Sequence, residues 1–214
     1  PGYDIIAQSA SGWTSQSDPP IIAPVSIGDT VASMHACTAI LGALYAKQAS
    51  GVGQNIDISM MDCLFSLHEN SLPWYLIGQA VGSYVELPPV GRQHPGYAPY
   101  GIYKGKNGGL ICIACLTDNR WAPLVKLMGE KYAWLLTDPR AKDVSTRCTT
   151  DNAPLVHQAL EEWIMEQDSV EDVERMLDEA DIPCLRVRGI RELADTDPQI
   201  KARDMMSVVN QPFI

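Results

Sequence analysis

The chain has 214 residues, a formal net charge of −10, and hydrophobic and charged fractions of 46% and 20%. That balance is globular, with length for one or two domains and a sizeable core. The negative charge argues against nucleic acid or an anionic membrane as partner, and no apolar run approaches the ~20 residues of a membrane span.

Residues 3–8 read as a short strand or a strand-to-helix entry, and 14–24, rich in Ser, Asp and Pro, as a loop. Gly28-Asp29 then opens a helix over 30–49, and Ser50-Gly51 closes it. Val31, Met34, Thr38, Leu41 and Tyr45 recur on one face of it at helical period, which marks that face for burial. Residues 54–59 read as a strand, with Ile56 and Ile58 on one side. A second helix is expected over 60–78, kinked or broken at Pro73. Proline and glycine over 79–99 mark a linker between domains.

A new unit starts at Tyr97. Residues 100–103 and 110–116 read as two strands joined by a hairpin at Asn107-Gly108. Thr117 or Asp118 caps a helix that Gly129 ends after Met128. Residues 138–152 are loop with a short helix near Pro139. A helix follows over 153–167, its apolar face Val156, Leu160, Trp163 and Ile164. Ser169 and Asp172 form a capping box for a helix to Ala180. Strands at 182–187 and 205–209 flank a helical turn at 190–194, and the mixture is an α+β domain.

Among chemistry-bearing residues, Asp29 stands out. As an N-cap it satisfies a free N–H of the first helical turn. The same place keeps a carboxylate ionised and, beside a glycine, approachable, as a carboxylate nucleophile requires. Cys112 and Cys115 have zinc or redox spacing, but i and i+3 of a strand face opposite ways, and no second pair or nearby His supports a metal. No metal site is expected. The six scattered cysteines read as reduced core thiols of a cytoplasmic protein. His35 and His68 read as buried or interface histidines, whereas His94, in the linker, could reach a site as acid or base. The glycine turns fit neither a dinucleotide fingerprint nor a P-loop, and no serine has nucleophile-elbow context.

The ordered set Tyr3-Asp-Ile-Ile-Ala-Gln-Ser-Ala-Ser-Gly12, Gly28-Asp29, Ala43-Leu-Tyr-Ala-Lys47, the run from Ser50 to Asp62, His94-Pro-Gly-Tyr-Ala-Pro-Tyr-Gly101, Asn107-Gly108 and Asn119-Arg-Trp121 resembles the family III CoA-transferases. The resemblance runs over nearly the whole chain. It implies an α/β fold: residues 1–80 as part of a Rossmann-like, CoA-binding large domain carrying the nucleophile, 81–96 as linker, and 97–214 as a small α+β domain. It also implies that the nucleotide-binding part precedes this stretch, which is therefore expected to be internal to a longer protein and inactive alone.

By the same resemblance, Asp29 attacks an acyl-CoA thioester, an aspartyl–acyl anhydride and then an aspartyl-CoA thioester form, and a carboxylic acid acceptor takes the CoA. Coenzyme A is a co-substrate, and no permanently bound cofactor is expected. Tyr3 and Asp4 would line the CoA site. Gly91, Arg92, Gln93 and His94 would face the substrate, with one glycine where formyl-CoA transferase has four, which argues against a formyl or oxalate substrate and for a bulkier acyl group. The protein would form an interlocked homodimer. The alternatives are an α-methylacyl-CoA racemase, which in this fold carries His at the position of Tyr3, and a non-catalytic acyl-CoA-binding homologue.

Overall fold

A computed structural model describes residues 2–83 and 87–212, and it divides the chain into two compact units, Pro1–Gly96 and Tyr97–Ile214. In the first, four helices follow one another: α1 (Asp4–Ala10), α2 (Ile27–Ser50), α3 (Met60–Phe65) and α4 (Ser71–Val81). Residues 3–8 are thus the start of a helix, not a strand. Tyr3 is extended, and its carbonyl receives the Ile6 and Ala7 amides, so the helix nucleates at once.

The long helix forms as expected, with Gly51 closing it at a positive φ of 73°. The face it turns inward is another matter. Gly28 and Ala32 are buried, and Ala36, Ala39, Ala43 and Ala46 continue that stripe half-buried. Met34, Leu41 and Tyr45 are exposed. Small residues let α2 lie close on α1 and α3, and the bulky face has no cover among the described residues. Length and composition also make α2 sufficient to cross a bilayer, with a mean hydropathy of 1.3. The sequence reading misses this because Ser, Thr and His residues punctuate an uncharged stretch over 30–46. A core helix has the same signature, since burial in protein and in lipid select the same side chains.

No strand forms at 54–59, where Ile56 and Ile58 stay partly exposed and no neighbouring strand offers a ladder among the described residues. The helix expected over 60–78 is two. The break spans 66–70, and Pro73 falls in the first turn of α4, where its missing N–H costs no hydrogen bond. Ser59 caps α3 by accepting the Asp62 amide.

The second unit holds an antiparallel sheet ordered β1 (Tyr100–Lys104), β2 (Leu110–Ala114) and β3 (Cys184–Arg186). Tyr103 pairs with Ile111, and Ile113 with Cys184. Tyr103, Ile111 and Ile113 turn to the core, as a period of two dictates. Asn107 and Gly108 have φ of 60° and 78°, the paired positive angles of a tight hairpin. Helices α5 (Asp118–Met128), α7 (Ala153–Glu166) and α8 (Val170–Glu179) supply the rest of the core through Trp121, Leu124, Leu160, Trp163, Ile164 and Leu177. Ser169 accepts the Asp172 amide and its hydroxyl donates to the Asp172 carboxylate, so the expected cap is present.

Three elements differ from the sequence reading. The short helix after Pro139 is α6 (Val144–Arg147), set further on by the Asp143–Thr146 capping box. A 3₁₀ segment, Glu130–Leu136, follows Gly129. Residues 205–209 form no strand. Instead α9 (Ile190–Thr196) and α10 (Pro198–Ala202) precede them, with Asp197 capping α10 and Met205 and Val208 exposed.

Candidate active site

Asp29 occupies the third residue of α2, one place inside the buried Gly28. It is not the N-cap; that position is Ser26, whose side chain makes no cap bond. The capping acceptor comes from another helix. Asp4 Oδ1 accepts the Gly28 amide at 2.6 Å, and Asp4 Oδ2 accepts Gln8 Nε2 at 2.6 Å. Gln8 Oε1 in turn accepts the Ala23 amide at 2.9 Å. With that work done by Asp4, the Asp29 carboxylate is exposed and has no hydrogen-bond partner among the described residues.

Gly28 is required by space. A Cβ there would lie 2.9 Å from Asp4 Oδ1 and 3.2 Å from Leu64 Cδ1. Tyr3 is 80% exposed beside Asp4. Both Asp4 oxygens are occupied by protein donors, so the structure gives this residue a scaffolding part that the sequence reading does not foresee.

A second feature of the same unit is a cleft of about 400 Å³ whose walls include Trp13, Leu67, His68, Trp74, Val90 and His94. His94 is the only substrate-facing residue of the sequence reading that lines it; Gly91, Arg92, Gln93 and Asp29 do not. His94 Nδ1 accepts the Gly96 amide at 3.1 Å, which leaves the proton of the neutral ring on Nε2. Val90 is held against Gln16 and Asp18 by two backbone hydrogen bonds, which fixes the start of the 91–94 segment. His68 Nε2 donates to the Ser11 carbonyl at 2.9 Å, so its Nδ1 accepts from the Ser71 hydroxyl. It ties α1 to the turn before α4. Sequence reasoning misses Trp13 and Trp74 because isolated aromatics carry no periodic signal.

Among the described residues no group of acidic, His and Cys side chains could hold a metal. Cys112 is exposed and Cys115 buried, on opposite sides of the sheet, and burial pushes the Cys115 thiol up to about 11.

The sequence pattern of the family III CoA-transferases matches residues 1–213. The chain belongs to CoA-transferase family III. It is 29% identical to a succinyl-CoA:mesaconate CoA-transferase of Haloarcula marismortui over 99% of this chain and 51% of that protein. It is 30% identical to a succinyl-CoA–D-citramalate CoA-transferase of Chloroflexus aurantiacus over 91% of this chain and 46% of that one. Its fold matches a crystal structure of a CaiB/BaiF family protein from Brucella suis with a TM-score of 0.73 and 27% identity, over 95% of this chain and 52% of that one. The chain spans about half the length of the curated relatives it matches. A family III chain thus carries, in its first unit, an exposed carboxylate at a glycine-tightened helix start and an aromatic cleft.

Proposed function

We propose that this chain is the nucleophile-bearing part of a CoA-transferase that moves CoA from an acyl-CoA thioester to a carboxylic acid, with Asp29 as nucleophile. The observation that carries the reading is the exposed, unpaired Asp29 carboxylate in the first turn of α2. Family membership and relatives named as CoA-transferases support it.

In this scheme an Asp29 oxygen attacks the thioester carbonyl, the C–S bond breaks, and CoA thiolate leaves. The thiolate then attacks the Asp29 carbonyl of the anhydride and expels the donor carboxylate, giving an aspartyl-CoA thioester. The acceptor carboxylate attacks that thioester, releases the thiolate and forms a second anhydride. Attack of the thiolate on the acceptor carbonyl yields the new acyl-CoA and regenerates Asp29. Each intermediate is an anhydride or a thioester, so one activated carbonyl is kept throughout and no external energy source is needed. Of the first-turn amides of α2, those of Ile27 and Gly28 are already bonded to Val25 and Asp4, which leaves the Asp29 N–H, among the described residues, as a donor for the tetrahedral oxyanions.

The acyl group is taken to be bulkier than formyl, which Val90-Gly91-Arg92-Gln93 and the nearby tryptophan-lined cleft support. The same proposal has the enzyme act as a cytoplasmic homodimer; the exposed apolar residues of α2 and α4 favour association with further protein.

The test is covalent trapping. The native protein is incubated with a series of acyl-CoAs, treated with hydroxylamine and digested, and the peptide containing Asp29 is weighed. An acyl-CoA-dependent hydroxamate on Asp29 is expected. Solvent deuterium entering the substrate α-carbon with no adduct on Asp29 would identify a racemase instead.

A further inference from the structure

We infer that Asp4 and Gln8 form a polarised hydrogen-bond relay that positions the Asp29 turn for reaction, and that Asp4 acts there as a positioning residue, not as a CoA contact. The inference rests on Asp29 being the nucleophile. Asp4 and Gln8 lie four residues apart on α1, so their side chains meet on one face of that helix. Together they grip both ends of the segment that leads to Asp29: Gln8 holds the Ala23 amide and Asp4 holds the Gly28 amide.

The polarity of this relay is forced. Backbone N–H groups only donate and an ionised carboxylate only accepts. Gln8 must therefore present Oε1 to Ala23 and Nε2 to Asp4, and Asp4 must be an acceptor at both oxygens. Gln8 is 1% exposed, so water cannot replace either partner. At the helix start nothing else among the described residues serves Gly28: the Ser26 side chain makes no cap bond and Ile27 is bonded to the Val25 carbonyl. The Gly28 packing leaves no slack, since the Asp4 oxygen sits where a Cβ could not fit. The adjoining residue, Asp29, takes its direction from a peptide fixed in this way.

The forced polarity supplies the test. Asp4→Asn puts a donor against the Gln8 donor. Gln8→Glu puts two carboxylates together. Combining Asp4→Asn with Gln8→Glu restores all three bonds with the central one reversed. The carboxylate now at position 8 accepts from the amide NH₂ at position 4 and from the Ala23 N–H. The amide oxygen at position 4 still accepts from Gly28. Transfer kinetics and hydroxylamine trapping on Asp29 are measured for the native protein and the three variants, with thermal midpoints alongside. Each single variant is expected to lose roughly 10- to 100-fold in kcat, the range that small misplacements of a reacting group produce, at unchanged KM for acyl-CoA. The double variant is expected to regain most of that loss.

A rise in KM at unchanged kcat would make Asp4 a CoA contact and overturn the relay. So would a double variant no better than the worse single one, or single variants trapped at the native rate. If a single variant does not fold, the double variant decides alone: native-like kcat supports the relay and a low one overturns it. No adduct in the native protein would sink the nucleophile reading itself, and the relay's role with it.

Discussion

The Asp4 carboxylate accepts the Gly28 amide at 2.6 Å across 24 positions of the sequence, so the start of α2 is capped from α1 and not by its own chain. The contact explains the glycine. Alanine at Gly28 would gain about 1 kcal/mol in helix propensity. Its Cβ would press on Asp4 Oδ1 and Leu64 Cδ1, and overpacking of this kind costs about 1–3 kcal/mol, with about 1.5–3 more if the charge-assisted bond breaks. Net of that gain, Gly28→Ala is expected to be destabilising in urea unfolding, by up to about 2 kcal/mol if the Asp4 bond survives and by about 1.5–5 kcal/mol if it breaks. An unchanged or higher midpoint would show that the close approach is not binding.

Arg147 is fully buried in the second unit. Its guanidinium pairs with Asp118, donates to the Ala98 carbonyl at 3.1 Å and lies over the Trp121 ring. The pair is lopsided, because Asp118 is half exposed. Removing the acid strands a buried cation, whereas removing the base leaves a carboxylate that water can reach. Asp118→Ala is therefore expected to cost about 3–5 kcal/mol, and Arg147→Met, which fills the space with apolar atoms, less than half of that. Equal losses in a denaturant series would refute this asymmetry.

Acid stability should depend on Asp197. The Ile200 amide at the start of α10 holds its carboxyl below the usual carboxylate range, and Arg188 adds to the effect. A group depressed on folding stabilises above its unfolded pKa, near ~3.9 for Asp, and loses that contribution as pH falls through the lower folded value. Asp197→Asn should lower stability at neutral pH and flatten the decline below about pH 4. Thermal midpoints measured from pH 7 to pH 2 provide the check; parallel curves for both proteins would count against it.

Periodicity carries most of the second unit. The strands around Asn107-Gly108, the apolar face of α7 and the Ser169 cap are local signals, and their partners lie within the same stretch, 97–214. The first unit is less legible for a physical reason. The sequence points α2's bulky face inward, but α1 and α3 take up only its small-residue stripe. A strand at 54–59 needs a neighbour, and pattern cannot supply one. At the site, the helix-start pattern and the family resemblance single out Asp29, but its capping reading fails. Asp4's reach to Gly28 is a tertiary contact that no local rule encodes.

That failed reading yields a sharp prediction. Had Asp29 been an N-cap, Asp29→Ala would cost about 1 kcal/mol of stability. Its side chain is exposed and makes no hydrogen bond among the described residues, so only its favourable interaction with the helix start is at stake, about 0.3–1 kcal/mol at low salt and less when screened. Asp29→Ala and Asp29→Asn are thus expected to match native stability within about 0.5 kcal/mol at physiological salt. Both should abolish CoA transfer and the hydroxylamine-trapped adduct, because neither side chain offers a carboxylate oxygen to the thioester. The two readouts together decide the residue's role. Full activity in Asp29→Asn would remove it as nucleophile, and a stability loss near that of a lost cap would return it to the scaffold.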